Sequence, residues 1–459
     1  MDAASLALVS ICAFATAAWL SPVLTNREFM LAADAAIEQR AATLAFLFAA
    51  ALCAFAANGH YRSRLPFWIE MKHVVATCAM LLLADAFIQY VTRESLSRSW
   101  LLLGWAFAPI GVLAGRSLAR RALDHVGLWR LPTIVVGEKA RADEVIEALS
   151  LAPELGLQIR GIVTARRFLR ATGADGKVVA IVDPLLFDHL NCFVILAPES
   201  EEMADFAHLA RHLSRTGAEF SLVLPFREVP VFGLEVQHFL SSDISMLKMR
   251  HNLDMPFTQF VKRAFDVVVS ASLLVFLAPL LLVCAALVKL DGGPILFAHE
   301  RVGRNRKPFG CLKFRTMAPN AKGLLEALLA SNPDAAEEWR RTHKLANDPR
   351  VTPIGRFLRT TSLDELPQLF NVLRGDMSLV GPRPIVESEL ETHYGESAHF
   401  YLQTRPGITG LWQVSGRSST TYGRRVHLDV WYVRNWSTWY DIAILLRTIP
   451  AVLARRGAA

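Results

Sequence analysis

The stretch SLDELPQLFNVLRGDMSLVGPRP, residues 362 to 384, gathers the side chains best suited to chemistry. Asp364 and Glu365 stand where a helix is expected to begin, Asp376 follows, and Arg383 is held between Pro382 and Pro384. A helix start offers unpaired backbone N–H groups and the positive end of the helix dipole, and both favour anions. Arginine grips phosphate oxygens through a planar fork, while an ionised aspartate can bind Mg²⁺ or attack phosphorus. The pattern points to phosphate chemistry. Ser362 and Glu365 also fit S-x-x-E, the capping box, in which both side chains only satisfy backbone donors ahead of Leu366, Leu369 and Phe370. Glu300, Arg301, Arg304, Lys313 and Arg315, further upstream, add more charge than a solvated turn needs.

A scaffold of more than one domain must carry these residues. At 459 residues the chain can bury two or three cores, and its 53% of hydrophobic residues gather into blocks. Four of them, near residues 4 to 24, 41 to 58, 73 to 91 and 99 to 115, are each about long enough to cross a bilayer as helices. Arg62, Arg64 and Lys72 follow the second block and Arg116, Arg120 and Arg121 the fourth, so positive-inside counting puts both ends of this bundle in the cytoplasm. The net charge of +7 suits anionic headgroups or phosphorylated substrates. No nucleic-acid-binding motif accompanies it, which argues against nucleic acid as a partner. The six cysteines show no C-x-x-C spacing, so neither structural disulfides nor zinc are expected.

Residues 131 to 250 alternate β-branched runs, at Thr133 to Val136, Val178 to Val182 and Phe193 to Leu196, with helical stretches at Ala142 to Leu149 and Glu201 to Thr216. This is the rhythm of an α/β domain with a mainly parallel sheet. After the first strand the chain reads GEKARA, which lacks two glycines of the dinucleotide fingerprint, so a degenerate Rossmann-like module without bound NAD is expected. Residues 262 to 290 form a fifth apolar segment, with Lys262 and Arg263 before it, Lys289 near its end and Pro279 near its middle. Hydropathy alone reads it as a full span; the basic ends and the proline permit a kinked helix that enters and leaves by one leaflet.

Several segments together resemble a known family. They are KRAFD from 262, GPILFAHERVGRNRKPFGCLKFRTM from 293, NDPRVTPIGRFLRTTSLDELPQLFNVLRGDMSLVGPRP from 347 and RPGITGLWQVSGR from 405. The sequence is similar to the bacterial polyprenyl-phosphate hexose-1-phosphate transferases, the large monotopic phosphoglycosyl transferases. FWIEMKH at 67 to 73 most resembles their undecaprenyl-phosphate galactose phosphotransferase branch. The resemblance implies a four-helix transmembrane bundle over 1–121, a degenerate Rossmann-like cytoplasmic domain over 122–250, and a mainly α-helical monotopic catalytic domain over 251–459. Within the last, 262–290 would be a re-entrant membrane helix broken at Ala278 and Pro279, where the family normally carries Ser-Pro. UDP-sugars are cytosolic, so the resemblance reverses the hydropathy reading of that segment. The aromatic and arginine-rich tail at 430 to 456 reads as an interfacial helix.

The implied reaction transfers galactose-1-phosphate or glucose-1-phosphate from a UDP-hexose to undecaprenyl phosphate, releasing UMP and starting an O-antigen, capsule or exopolysaccharide repeat unit. Asp364 would be the nucleophile and a ligand of Mg²⁺, and Glu365 would prepare the lipid phosphate or support the metal. Arg383 would bind phosphate with Lys313 and Arg315, while Lys262, Arg263, Glu300, Arg301, Arg304 and Asp376 are further candidates. The resemblance also implies a homodimer in the bacterial inner membrane, in contact with its lipids, with the catalytic domain facing the cytoplasm. Membrane-bound nucleotide-sugar dehydratases have a similar front end but need Y-x-x-x-K, and none of the seven tyrosines has lysine four residues later. A non-catalytic membrane sensor or scaffold of a polysaccharide assembly system is the remaining alternative.

Overall fold

The computed structural model describes residues 2–12, 33–92, 98–163, 192–216, 219–224, 235–238, 245–248, 253, 255–342, 345, 348–415 and 421–453. The chain divides into two compact units, Met1–Arg227 and Glu228–Ala459.

In the first unit the apolar blocks become the helices Asp2–Cys12, Ala33–Ala57, Phe67–Thr92 and Arg98–His125, and the rest of the first block lies outside the described residues. The last three, together with Pro256–Leu290 of the second unit, are long and apolar enough to cross a membrane. Leu47, Ala51, Phe55, Val74, Cys78, Trp105 and Val112 form the core of the bundle. Two polar clusters interrupt that core. Asp85, which is fully buried, accepts from Arg40 Nη2 at 2.6 Å and from the Trp105 indole at 2.7 Å. Elsewhere in the bundle Arg116 reaches Asp2 and Glu70, each at 2.9 Å.

The α/β region of this unit holds strands β1 (Leu131–Gly137), β2 (Leu157–Val163), β3 (Phe193–Ala197) and β4 (Phe220–Leu222). They form a parallel sheet in the order β2-β1-β3-β4. The helices Lys139–Ser150 and Met203–Thr216 connect them, and Val178 to Val182, expected as a strand, lie outside the described residues. Helical spacing places Phe206 and Leu213 on the buried face of the second helix, against Val136, Val194 and Leu196.

The second unit begins with two short antiparallel strands, β5 (Glu235–His238) and β6 (Ser245–Lys248). The 35-residue helix Pro256–Leu290 follows, with Pro279 inside it. Then come the antiparallel hairpin β7 (Leu296–Val302) and β8 (Pro308–Phe314), short helices, and the parallel pair β9 (Ser378–Val380) and β10 (Gly407–Thr409). Cys311, Leu369, Val372, Met377, Val380, Tyr432, Trp436 and Ile444 make the main core.

Both ends of the long helix are fixed to this same unit. Near its start, Lys262 Nζ donates to Asp441 at 2.7 Å and to the Val380 carbonyl at 3.1 Å, and Asp266 accepts from the Leu379 N–H at 3.1 Å. Near its end, Cys284 and Val288 pack on Phe314 and Leu358, and Arg315 Nη2 donates to the Val288 carbonyl at 3.0 Å. Between these anchors Val275, Phe276 and Leu282 are 78%, 80% and 71% exposed, an apolar surface that no described residue covers.

The aromatic tail departs from the sequence reading. Tyr432 and Trp436 are core residues whose polar tips find Asp441, at 2.7 Å and 3.1 Å, so their polarity is satisfied inside the protein and not at a headgroup. The helix Thr438–Leu453 leaves Leu446 and Ile449 exposed.

Candidate active site

Asp364 and Glu365 stand on a single 3₁₀ turn, Leu363–Glu365, and the α-helix begins later, at Gln368 after Pro367. Ser362 enters the turn in the left-handed region at φ 57°, uncommon for a residue with a Cβ, and its side chain makes no capping bond. The capping box is therefore absent. Three residues per turn set neighbouring side chains about 120° apart, which turns Asp364 inward and leaves Glu365 facing outward. Asp364 is 9% exposed, whereas the Glu365 side chain is 36% exposed.

The two carboxylates have different surroundings. Glu365 Oε1 pairs with Lys313 Nζ at 2.6 Å. No side chain among the described residues donates to the Asp364 carboxylate. Burial, reinforced by the adjacent Glu365 charge, pushes the Asp364 carboxyl up to about 6, and Lys313 and Arg359 hold it from rising further. A carboxylate in that range is ionised near neutral pH yet only weakly held by its neighbours, which suits a nucleophile.

Arg359 is a further candidate, close enough to Asp364 for its charge to act on it, that the sequence reading missed. It ends the helix Pro353–Thr360, which Thr352 caps through the Gly355 N–H. Gly355 lets that helix pass close over β8's end, because a Cβ there would lie 2.0 Å from the Thr316 carbonyl oxygen. The approach lets Arg359 Nε donate to Thr316 Oγ1 at 2.9 Å. The Thr-Pro pair at 352 and 353 was the available signal, since it marks a helix start and so a helix running towards Asp364.

The hairpin supplies the facing surface. Residues directly opposite in an antiparallel pair share a face. The pairs Phe297 with Lys313, His299 with Cys311 and Arg301 with Phe309 therefore lie on one side, and Glu300, opposite Gly310, on the other. Burial pushes the Cys311 thiol up, and Lys313, Glu365, Arg301 and Arg383 all lie close enough to act on it. Lys313 thus lies beside both Asp364 and Glu365, Arg301 and Arg383 share the surroundings of Cys311 with Glu365, and Glu300 turns away on the other face of the hairpin. Arg383 is exposed, with its guanidinium carbon 5.7 Å from the centre of the Trp412 ring.

The remaining candidates bond elsewhere. Lys262 is paired with Asp441, as described above. Arg263 donates to the Val372 carbonyl at 2.5 Å and the Leu373 carbonyl at 2.8 Å, at the far end of the helix Gln368–Arg374 from Asp364. Arg304 lies 3.5 Å from Gln259 Oε1, and Asp376 accepts from Asn371 at 3.1 Å in a turn. Arg315 Nη2 is engaged at the end of the long helix, while its Nη1 is buried without a partner and crowds Gly293, which has φ 78° and where a Cβ would fall 2.1 Å from that nitrogen. Among the described residues no three His, Cys, Asp or Glu side chains gather as a metal cage. Mg²⁺ commonly needs only one or two carboxylates, completed by water and substrate phosphates, and Asp364 with Glu365 fits that donor set.

A buried carboxylate near Lys313 and Arg359, on a unit with a helix long and apolar enough to cross a membrane, is an arrangement that suits phosphate chemistry, and known proteins give the chain its family. The family described as bacterial sugar transferase matches residues 257–455, and one described as CoA-binding domain matches residues 56–179. The undecaprenyl-phosphate galactose phosphotransferase of Salmonella typhimurium is 40% identical over 407 residues, covering 87% of this chain and 84% of that protein. The UDP-galactose-lipid carrier transferase of Erwinia amylovora is 39% identical, with 87% and 84% covered. The exopolysaccharide production protein ExoY of Rhizobium meliloti is 53% identical over 204 residues, 44% of this chain but 90% of ExoY. The chain belongs to the bacterial sugar transferase family and is a transferase.

Proposed function

We propose that this protein transfers a hexose-1-phosphate, galactose or glucose, from a UDP-hexose to undecaprenyl phosphate, and so begins a surface-polysaccharide repeat unit. The observation that carries the mechanism is the contrast within the acidic pair: Asp364 is buried without a side-chain donor, while Glu365 is tied to Lys313. An Asp364 carboxylate oxygen attacks the β-phosphorus, the bond from that phosphorus to the bridging oxygen breaks, and UMP leaves with the electron pair. A phosphate oxygen of undecaprenyl phosphate then attacks the phosphosugar on Asp364 and frees the carboxylate. Lys313, Arg359 and Arg383 bind and orient the phosphates, and Glu365, exchanging Lys313 for substrate, aligns the incoming lipid phosphate. Asp364, with Glu365 beside it, would hold Mg²⁺, which would supply positive charge to offset that of the diphosphate.

The anchoring of the long helix supports a re-entrant course. A helix crossing a hydrocarbon core about 30 Å thick would carry one end away from the unit. Here Lys262 and Val288 both bond within it, and the stretch between them, with Val275, Phe276 and Leu282 exposed on either side of Ala278 and Pro279, is left for lipid. The proposed setting is the cytoplasmic face of the inner membrane, with the protein as a homodimer.

The test is UMP release by the lipid-embedded protein with Mg²⁺, undecaprenyl phosphate and either UDP-galactose or UDP-glucose, beside Asp364→Ala. UMP with one sugar, lost in the variant, is the expected result. Release of UDP, or activity surviving the substitution, refutes the mechanism, and no turnover with any UDP-sugar favours a scaffold.

A further inference from the structure

Among the described residues no acid pairs with Arg425. It lies in the first turn of the helix Tyr422–Arg434, its guanidinium carbon 4.7 Å from the Trp412 ring centre and 5.8 Å from that of Tyr422. Its guanidinium makes no ion pair or hydrogen bond to a described residue, and its Nε is buried without a partner. Arg383 lies over the same indole, at 5.7 Å. The acids nearby are already engaged: Glu389 lies 3.7 Å from Arg301, and Asp429 accepts from Tyr394 at 2.8 Å. An arginine unpaired among the described residues, against a rigid ring that a second arginine also covers, is preorganised for an anion that no described residue supplies.

We infer that Arg425 and Arg383, seated together on Trp412, form a phosphate clamp in which Arg425 is a second positioning residue for a substrate phosphate. The inference rests on the transferase reading above. The ligand is a phosphate and not a base, because the aromatic faces are taken: Trp412 is 5% exposed, and His393 stacks on Tyr422 at 3.8 Å. Both proposed substrates bear phosphate, so the nucleotide diphosphate and the lipid monophosphate are the two sources to separate. A charge-assisted hydrogen bond contributes roughly 1.5–3 kcal/mol, about ten-fold to a hundred-fold in affinity.

The experiment measures binding, so it stands whether or not turnover is seen. Full-length protein in nanodiscs is titrated with UDP in one arm and with a short-chain polyprenyl phosphate in the other, as wild type, Arg425→Gln and Arg425→Lys. Arg425→Gln is expected to weaken one ligand at least ten-fold at an unchanged melting temperature, with Arg425→Lys recovering part of the loss. The affected arm names the phosphate, and weakening that fades at high salt marks it as ionic. Unchanged affinity in both arms overturns the inference. So does a loss in which both variants melt equally early, since Arg425 then only supports Trp412. Loss of UMP release on Asp364→Ala is a separate result and bears on the transferase reading alone.

Discussion

Removing the charge of Asp441 while keeping its shape should destabilise the second unit by stranding Lys262. The ammonium is 8% exposed and the carboxylate 1% exposed, at 2.7 Å. Tyr432 and Trp436 donate to different oxygens of Asp441. Asparagine can keep the Trp436 bond on its one oxygen while its amide N–H donates to the Tyr432 hydroxyl, which still has the Val380 carbonyl to donate to. The main missing element is the counter-ion of Lys262. Breaking one side of a buried pair costs about 3–5 kcal/mol, because the other charge stays buried. For a unit of this size each kcal/mol moves the melting temperature by roughly 2–4 °C, so Asp441→Asn should lower it by about 6–20 °C. Lys262→Met with Asp441→Asn removes the stranded charge and should regain most of that. The assay is thermal unfolding of nanodisc-embedded protein across a double-mutant cycle. A single substitution within about 1 °C of wild type, or strictly additive losses, would refute the pairing as an anchor of the long helix.

The same physics applies in the bundle, where Asp85→Ala leaves Arg40 buried and should cost about 3–5 kcal/mol, read as early thermal unfolding; Asp85→Glu should recover part of it. Single cysteines at Phe260 and Leu290 in a cysteine-free background should be labelled from the same side of sealed vesicles; labelling from opposite sides sinks the re-entrant course. Burial pushes the Asp429 carboxyl up to about 7 despite the Tyr394 bond and the nearby Arg383 charge. A raised folded value favours the protonated carboxyl, so this stabilisation is complete below the unfolded value of 3.8 and is lost as pH rises through about 7. The melting temperature of wild type should therefore fall between pH 5 and 8 relative to Asp429→Asn, and parallel curves would show that Asp429 titrates elsewhere.

Strong periodicity and composition made the long apolar helices, the parallel sheet and the acidic pair legible in the sequence. What they hid was pairing between distant segments. Lys262 and Arg263 look like membrane-edge charges because their partners, Asp441 and the Val372 carbonyl, lie far along the chain. The pleat of the hairpin separates Glu300 from Arg301, but only the register reveals which face meets Asp364. The tail aromatics suit a headgroup zone by type, and one buried acid, Asp441, converts two of them to core. Arg359 escaped because a close approach at a glycine has no periodic signature.

The backbone around Asp364 suggests why the acidic pair can divide its work. An α-helical start with a capping box would have spent Glu365 on a backbone N–H and aimed both acids at the helix end. The left-handed Ser362 and the 3₁₀ turn instead separate the two side chains, one inward and one towards Lys313. The inward acid keeps lone pairs for phosphorus, and the outward one holds a lysine that substrate phosphate can reclaim. Replacing Ser362 by glycine, which favours φ 57°, should leave UMP release intact, while a β-branched valine should strain the turn and lower it. Equal activity in both would mean that the turn does not set the division.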